Sequence, residues 1–578
     1  MTLDEFQPED DLLAAISHKL ANVSMYKVPS PGEMVEKNDL PTVKYLLYSS
    51  DYCKIKQSIE LLRKYLVQDN NQNSAKDLLS LDILPRIKEL LRSNCENVIK
   101  FECSWILTNI AAGIGSQTNT IVENGFVDVL LQCVNDKKCG LELNYQAAWA
   151  LANIAGESSK YREELMIKGF CDSLVRILDE IFDEIQDLSL SSRTASGRMF
   201  ISDRMYDAAV EALMWSLSNM ARGGFCTADY WEKYVPMFQV LSKYILLEVP
   251  KLEADVCWGI SRILYNMHDV DIFYHHTSIS DTMCQRLIQI LSHGKTDNVV
   301  PALRTIINIS SGPTQYVSKL LNTPILDSIT RLLDSQVPCE LRKDSYLVIS
   351  NLAAGSEETV DFVIKHTVVM QNVISHIRVP GHIYDYGEWV QPQNYSSFDI
   401  KAEWKVTKEA LWIVFNLATV GSDTSVDCLL KQHPKMPEEL ARLLKYIDLS
   451  SEVCEKILDT MISLIQRTNK WVGDQQGKNP YVRLFLQNQT PVAISTLQDL
   501  HYGTRISDLC SKLANLLLLS EENVGYTTAI VDTDNMADAF GLPSLAEIKS
   551  KSHKRRVIRG REDGDVRLIE NAVNNLTL

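Results

Sequence analysis

The sequence predicts an all-α repeat solenoid. Three observations carry that expectation: one helix motif recurs along the chain, its copies follow at a nearly constant step, and short amphipathic helices fill the intervals. The copies are SWILTNIAAG (104–113), AWALANIAGE (148–157), MWSLSNMARG (214–223), CWGISRILYN (257–266), LRTIINISSG (303–312), YLVISNLAAG (346–355) and LWIVFNLATVG (411–421). They align on one column: Trp105, Trp149, Trp215, Trp258, Arg304, Leu347 and Trp412.

Taken in order, the steps along this column are 44, 66, 43, 46, 43 and 65 residues. Four of the steps match the roughly 40–47-residue period of armadillo and HEAT units, and the two long ones read as a unit plus an insertion of about 20 residues. The first insertion, IFDEIQDLSLSSRTASGRM, is rich in serine and acid, and the second, RVPGHIYDYGEWVQPQNYSSFD, carries Pro, Gly and Tyr without a helical period. Both are expected as surface loops. The intervening segments ILPRIKELL, GFVDVLLQCV, GFCDSLVRIL and PILDSITRLL place apolar residues at i, i+3 and i+4, as helices that stack on neighbours require. No such unit buries its apolar face alone, so stability comes from stacking along the array, and a long concave surface results.

Composition narrows the function classes. Of 578 residues, 45% are hydrophobic and 23% charged, an ordinary balance for a packed chain. No run approaches the roughly 18–20 apolar residues of a membrane helix, and the opening MTLDEFQPEDD is acidic where a signal peptide is basic. No membrane insertion is expected, and the cytosol or nucleus is the expected compartment. The 13 cysteines are scattered, without a CxxC pair, so neither a disulfide framework nor a metal site is expected. No phosphate loop, HExxH, GxSxG or paired carboxylate stands out, and the 11 histidines are dispersed, so neither an enzyme nor a cofactor is expected. A formal charge of −16, from 74 acidic and 58 basic residues, favours cationic partners and repels nucleic acid.

Helical geometry separates the two faces of the motif. At about 100° per residue, Ala147, Leu151 and Ile154 fall on one side, and Trp149, Asn153 and Gly156 on the other. The aliphatic stripe takes the core. Trp and Asn then pair at i, i+4, as Trp105 with Asn109, Trp149 with Asn153, Trp215 with Asn219 and Trp412 with Asn416, while Asn308 and Asn351 follow Arg304 and Leu347. A buried amide needs partners for two donors and an acceptor, so the column is expected as a solvent-facing ladder that pairs with the backbone of an extended peptide. Indoles beside it form slots for the stems and charged ends of Lys or Arg, each cation–π contact contributing about 0.5–2 kcal/mol.

The run of AWALANIAGES, SWILTNIAAG, MWSLSNMARG and PALRTIINISSG resembles importin-α, the karyopherin adaptor of nuclear import, over about residues 45–520. Catenins and other armadillo proteins share the helices but not regular Trp and Asn columns. The resemblance implies an armadillo-repeat, right-handed superhelical solenoid of about ten repeats over 41–520, with insertions near 179–203 and 379–402. It implies a nuclear import adaptor that holds basic localisation-signal peptides, links cargo to importin-β, is released with an export receptor and Ran, and shuttles between cytoplasm and nucleus. By the same resemblance Trp105, Asn109, Trp149, Asn153, Trp215, Asn219 and Trp258 form a major signal site, with Gly113, Thr118 and Glu157 around a key cargo lysine. Glu157 stands where the family has Asp. Asp255 matches an acid that meets another basic residue, and Arg222 marks where further positive charge becomes unfavourable. Arg304, Asn308, Asn351, Glu409, Trp412 and Asn416 form a minor site.

The chain also departs from that pattern. Leu347 stands where the minor site has Trp and Arg262 where a Tyr follows Trp258, so a weak minor site is expected. Residues 1–40 lack the family's basic importin-β-binding cluster; basic charge lies instead at 549–561 in the tail 521–578, including Lys551, Lys554, Arg555 and Arg556. That run reads as a solvated segment, an autoinhibitory pseudo-signal or a displaced importin-β contact. A second functional class stays open beside the adaptor: an armadillo scaffold, or a chaperone of basic proteins that does not recruit importin-β.

Overall fold

A computed structural model describes residues 35–68, 73–191, 204–223, 227–392, 400–472, 479–500 and 503–522. The basic run at 549–561 and residues 1–34 lie outside them, so the three readings of the tail have no structural counterpart here. The fold is all-α and armadillo-like. It divides into two compact units, one ending at Thr305 and the other beginning at Ile306.

In the first unit a long helix α1 (Tyr52–Gln68) precedes those formed by the recurring motif, α2 (Asn97–Ala111), α3 (Gly140–Glu157), α4 (Arg204–Met220) and α5 (Glu253–Asn266). Helix α6 (Thr296–Ser310) contains the division. Successive members of α1 to α5 pack on one another. A second layer, including Leu84–Arg92, Phe126–Asn135, Phe170–Ser191 and Trp231–Tyr244, covers their apolar side. Ala147, Leu151 and Ile154 of α3 are buried in this core, as the helical spacing requires. The turns into Phe126 and Phe170 use Gly125 and Gly169 at φ of 68° and 82°. That left-handed backbone, which costs glycine little, seats both phenyl rings at 0% exposure.

The first insertion corrects the loop expectation in part. The stretch beginning at Ile181 continues the Phe170–Ser191 helix, because Leu178, Ile181 and Ile185 extend the buried stripe at helical spacing. Residues 192–203 lie outside the described residues.

The second unit continues the pattern with α7 (Cys339–Ala353), α8 (Ile400–Val420), α9 (Ser451–Val472) and α10 (Thr504–Glu522), each packed on the next. A buried ion pair ties α7 to α8: both Arg342 terminal nitrogens donate to the Glu403 carboxylate, one at 2.9 Å. The second insertion is more ordered than its composition suggests. It holds a hairpin of β1 (Ile383–Asp385) and β2 (Glu388–Val390), turned through Tyr386 and Gly387 at φ of 47° and 91°, the mirror-image turn that suits twisted strands. Side chains fasten it to the helix Met436–Leu444 and the residue after it. Trp389 Nε1 donates to the Arg442 carbonyl at 2.8 Å, and Lys445 Nζ donates to the Tyr384 hydroxyl at 2.8 Å. Among the described residues no helix is long and apolar enough to cross a membrane, and no cluster of metal-binding side chains occurs.

Candidate functional site

The motif tryptophans sit where the helical wheel puts them, away from the aliphatic stripe. Trp105, Trp149, Trp258 and Trp412 are half-buried, and Trp215 is more enclosed at 7% exposure. The column's other two members, Arg304 and Leu347, are buried.

The asparagines differ from expectation. Asn109 is half-buried and its amide donates to its own helix, at the Trp105 carbonyl, 2.9 Å away. Asn153, Asn219, Asn308, Asn351 and Asn416 are all buried. Instead of standing open as a ladder, the amides of Asn153, Asn351 and Asn416 fasten neighbouring long helices together. Asn153 Nδ2 donates to the Thr108 carbonyl at 3.0 Å, Asn351 Nδ2 to Ile307 at 3.3 Å, and Asn416 Nδ2 to Ser350 at 3.1 Å. In every case the acceptor belongs to the residue just before the asparagine of the preceding long helix. Arg262, which stands in the same column after Trp258, does the same work: its guanidinium donates to the Ser218 carbonyl at 3.1 Å and hydroxyl at 2.9 Å. A buried amide is thus supplied with a partner by the stack itself, which the sequence argument did not provide for.

Two positions are left incomplete. Asn153 spends its Nδ2 on Thr108, but its Oδ1 is buried with no hydrogen-bond partner. Asn219 is the reverse, its Nδ2 being buried and unpartnered. Adjacent helices α3 and α4 therefore hold, just beneath the surface, one unpaired acceptor and one unpaired donor, the pair that an extended backbone offers in complement. Gly156 lies beside the second of these; a Cβ there would be 3.9 Å from Asn219 Nδ2.

The indoles divide in the same way. The Arg63 guanidinium lies 4.4 Å from the Trp105 ring centre, and the Arg262 guanidinium 5.3 Å from that of Trp258. Lys456 Nζ lies 4.0 Å from the ring centres of both Trp412 and Phe415. Among the described residues no cation covers Trp149 or Trp215. The unpaired amides and the indoles without a cation coincide. Neither Arg63 nor Lys456 was singled out from sequence, yet Lys456 follows Trp412 by 44 residues, the ordinary repeat step, and so occupies the Trp column of the next helix.

The acids lie on both sides of this pair. Glu157 is exposed, and its carboxylate lies over Gly115, where any Cβ would collide with it. Asp255 is half-buried. Burial pushes its carboxyl up to about 7, with Glu211 adding to the effect and the Arg262 guanidinium opposing it. A cation arriving there would favour the ionised form. Arg222 is buried at 7% exposure. Gly113 is half-buried, its missing Cβ making room for Gln117. Thr118 does not reach the surface: it is fully buried, and its hydroxyl donates to the Ala111 carbonyl at 3.2 Å. In the second unit Glu409 is buried, and both hydrogen bonds of Asn416 Nδ2 end on Ser350, at its carbonyl and its hydroxyl.

No family model matches the chain. Among curated proteins it is 28% identical over 309 residues to importin subunit alpha-3 of Arabidopsis thaliana, covering 54% of this chain and 52% of the relative. It is 24% identical over 330 residues to importin subunit alpha-1a of Oryza sativa subsp. japonica, 57% of each. Importin subunit alpha-B of Dictyostelium discoideum is 32% identical over 273 residues, 47% of each. The chain spans about half the length of the curated relatives it matches. Among solved structures, the crystal structure of an engineered protein superposes with a TM-score of 0.60 at 18% identity, over 83% of this chain and 99% of that one, a likeness of fold.

Proposed function

We propose that this chain, importin-α-like by its relatives, is a nuclear import adaptor that binds basic localisation-signal peptides in extended conformation across α3 and α4. The observation that carries this reading is a coincidence: the buried, unpartnered Asn153 Oδ1 and Asn219 Nδ2 stand one helical turn from Trp149 and Trp215, which no cation among the described residues covers. A peptide N–H would donate to Asn153 and a peptide carbonyl would accept from Asn219. Both bonds read main chain and are indifferent to sequence.

Selectivity would come from the rings and the charge. Lys or Arg stems lie against Trp149 and Trp215, each charged end gaining about 0.5–2 kcal/mol. Glu157 and Asp255 favour the same sign of ligand, as does the net charge of −16. Buried Thr118 has no part in this contact set. Consistent with the importin-α relatives, the cargo complex would be handed to importin-β, released with an export receptor and Ran, and cycled between cytoplasm and nucleus.

The test is fluorescence anisotropy of a labelled lysine-rich signal peptide titrated with the full chain and with the Trp149→Ala, Asn153→Ala double variant. Saturable binding that the double variant loses is the expected result. Binding unaffected by the double variant, or absent in the parent chain, would overturn the proposal.

A further inference from the structure

Trp412 and Asn416 repeat the Trp149 and Asn153 pair in the second unit, but their surroundings differ. Trp412 and Phe415 meet edge to face, with ring centres 5.7 Å apart. Lys456 of α9 places its ammonium 4.0 Å from both ring centres, inside the distance at which a cation gains from an aromatic face. This is the place a ligand lysine would take. The amide beside it donates to the Ser350 carbonyl and hydroxyl much as Asn153 Nδ2 donates to Thr108, so the ring, and not the amide nitrogen, separates the two places. The preceding member of the column, Leu347, is buried and aliphatic and offers no second ring.

We infer that Lys456 is a built-in occupant of the Trp412 slot, a specificity-determining residue that excludes basic side chains of the ligand and confines recognition to the window at Trp149 and Trp215. The inference rests on the peptide-binding reading above. Lys456 is held on a helix that packs against α8, so it competes at the high effective concentration of a tethered group, in the millimolar range or above. A peptide at micromolar concentration does not displace it. Because the occupant carries the same charge as the intended ligand, ring and ligand cation cannot meet without first expelling a like charge.

Isothermal titration of the full chain with a short lysine-rich peptide carrying a single basic cluster tests this. The parent chain binds one peptide. Lys456→Gln removes the charge, shortens the side chain by one atom and binds a second peptide at least about tenfold more weakly than the first, because Leu347 leaves one wall without a ring. Adding Trp412→Ala to Lys456→Gln abolishes the second event, and Lys456→Arg, which replaces one cation by another, stays at one. Two peptides on the parent chain with one lost on Trp412→Ala, or a single peptide on folded Lys456→Gln, overturns the inference while leaving the first site standing. If Lys456→Gln fails to fold, Lys456→Met, which keeps the apolar stem, takes its place. No peptide bound by any variant, or a first event indifferent to Trp149→Ala, instead defeats the peptide-binding reading itself.

Discussion

Trp149 with Asn153 and Trp412 with Asn416 are the same two residues at the same spacing on equivalent helices of the two units. In the first unit no cation among the described residues covers the ring face, and the amide oxygen has no partner. In the second, Lys456 covers the ring. A motif therefore specifies the position of a binding element and leaves its availability to the neighbouring helix. Whether the next residue in the column is tryptophan or lysine decides which of the two states results.

The comparison is broken most directly by removing each ring. Trp149→Ala is expected to weaken lysine-rich peptide binding by about 100-fold, the loss typical of a central aromatic anchor, whereas Trp412→Ala changes it by less than about twofold. Equal losses in anisotropy titrations would make the two regions equivalent and erase the distinction.

The amides sharpen the comparison through stability. Asn416→Ala removes a buried inter-helix hydrogen bond to Ser350, whose carbonyl keeps the backbone N–H of Ala354, and is expected to lower unfolding free energy by about 1 kcal/mol. Asn219→Ala removes an amide nitrogen that bonds nothing, so its cost in urea denaturation should be less than half as large, while peptide affinity falls by roughly tenfold, the worth of one hydrogen bond in a desolvated site. A larger stability loss at Asn219 than at Asn416 would contradict the assignment of one to the ligand and the other to the fold.

A smaller effect is expected from pH. The Asp255 carboxyl is pushed up to about 7 by burial, and a cationic ligand prefers the ionised form. Peptide affinity should rise by a few-fold between about pH 6 and 8, most steeply near 7, and Asp255→Asn should flatten the rise. For the fold alone the sign is opposite. A carboxyl whose native value lies above the unfolded value of about 4 favours folding while it stays protonated, and that contribution is lost as pH rises through about 7. Bound peptide would offset the loss, so the melting temperature of the complex should fall less over this range than that of the free chain.

Much of this was legible in the sequence. The repeat step, the helical class and the face carrying tryptophan follow from period and spacing, because Leu151 and Ile154 must be buried together and Trp149 lies on the other side of the same helix. The burial of the asparagines was not legible. It depends on which carbonyl of the preceding helix lies opposite Asn153 or Asn351, a matter of register between helices that a local pattern does not encode. Lys456 could have been found by continuing the column one further step past Trp412. The hairpin at Ile383–Val390 was hidden for another reason: its strands are three residues each, too short to show alternation, and they are held by side chains such as Trp389 rather than by a sheet.

The amide fastening between long helices is missing where α4 meets α3. Asn153 joins α3 to α2, Arg262 joins α5 to α4, and Asn416 joins α8 to α7, but Asn219 makes no such bond from α4 to α3. At this column that joint is a riveted seam with a rivet missing. A backbone laid across it, bonded to Asn153 on one plate and Asn219 on the other, would act as a splint, supplying from outside the fastening that this column lacks at the joint.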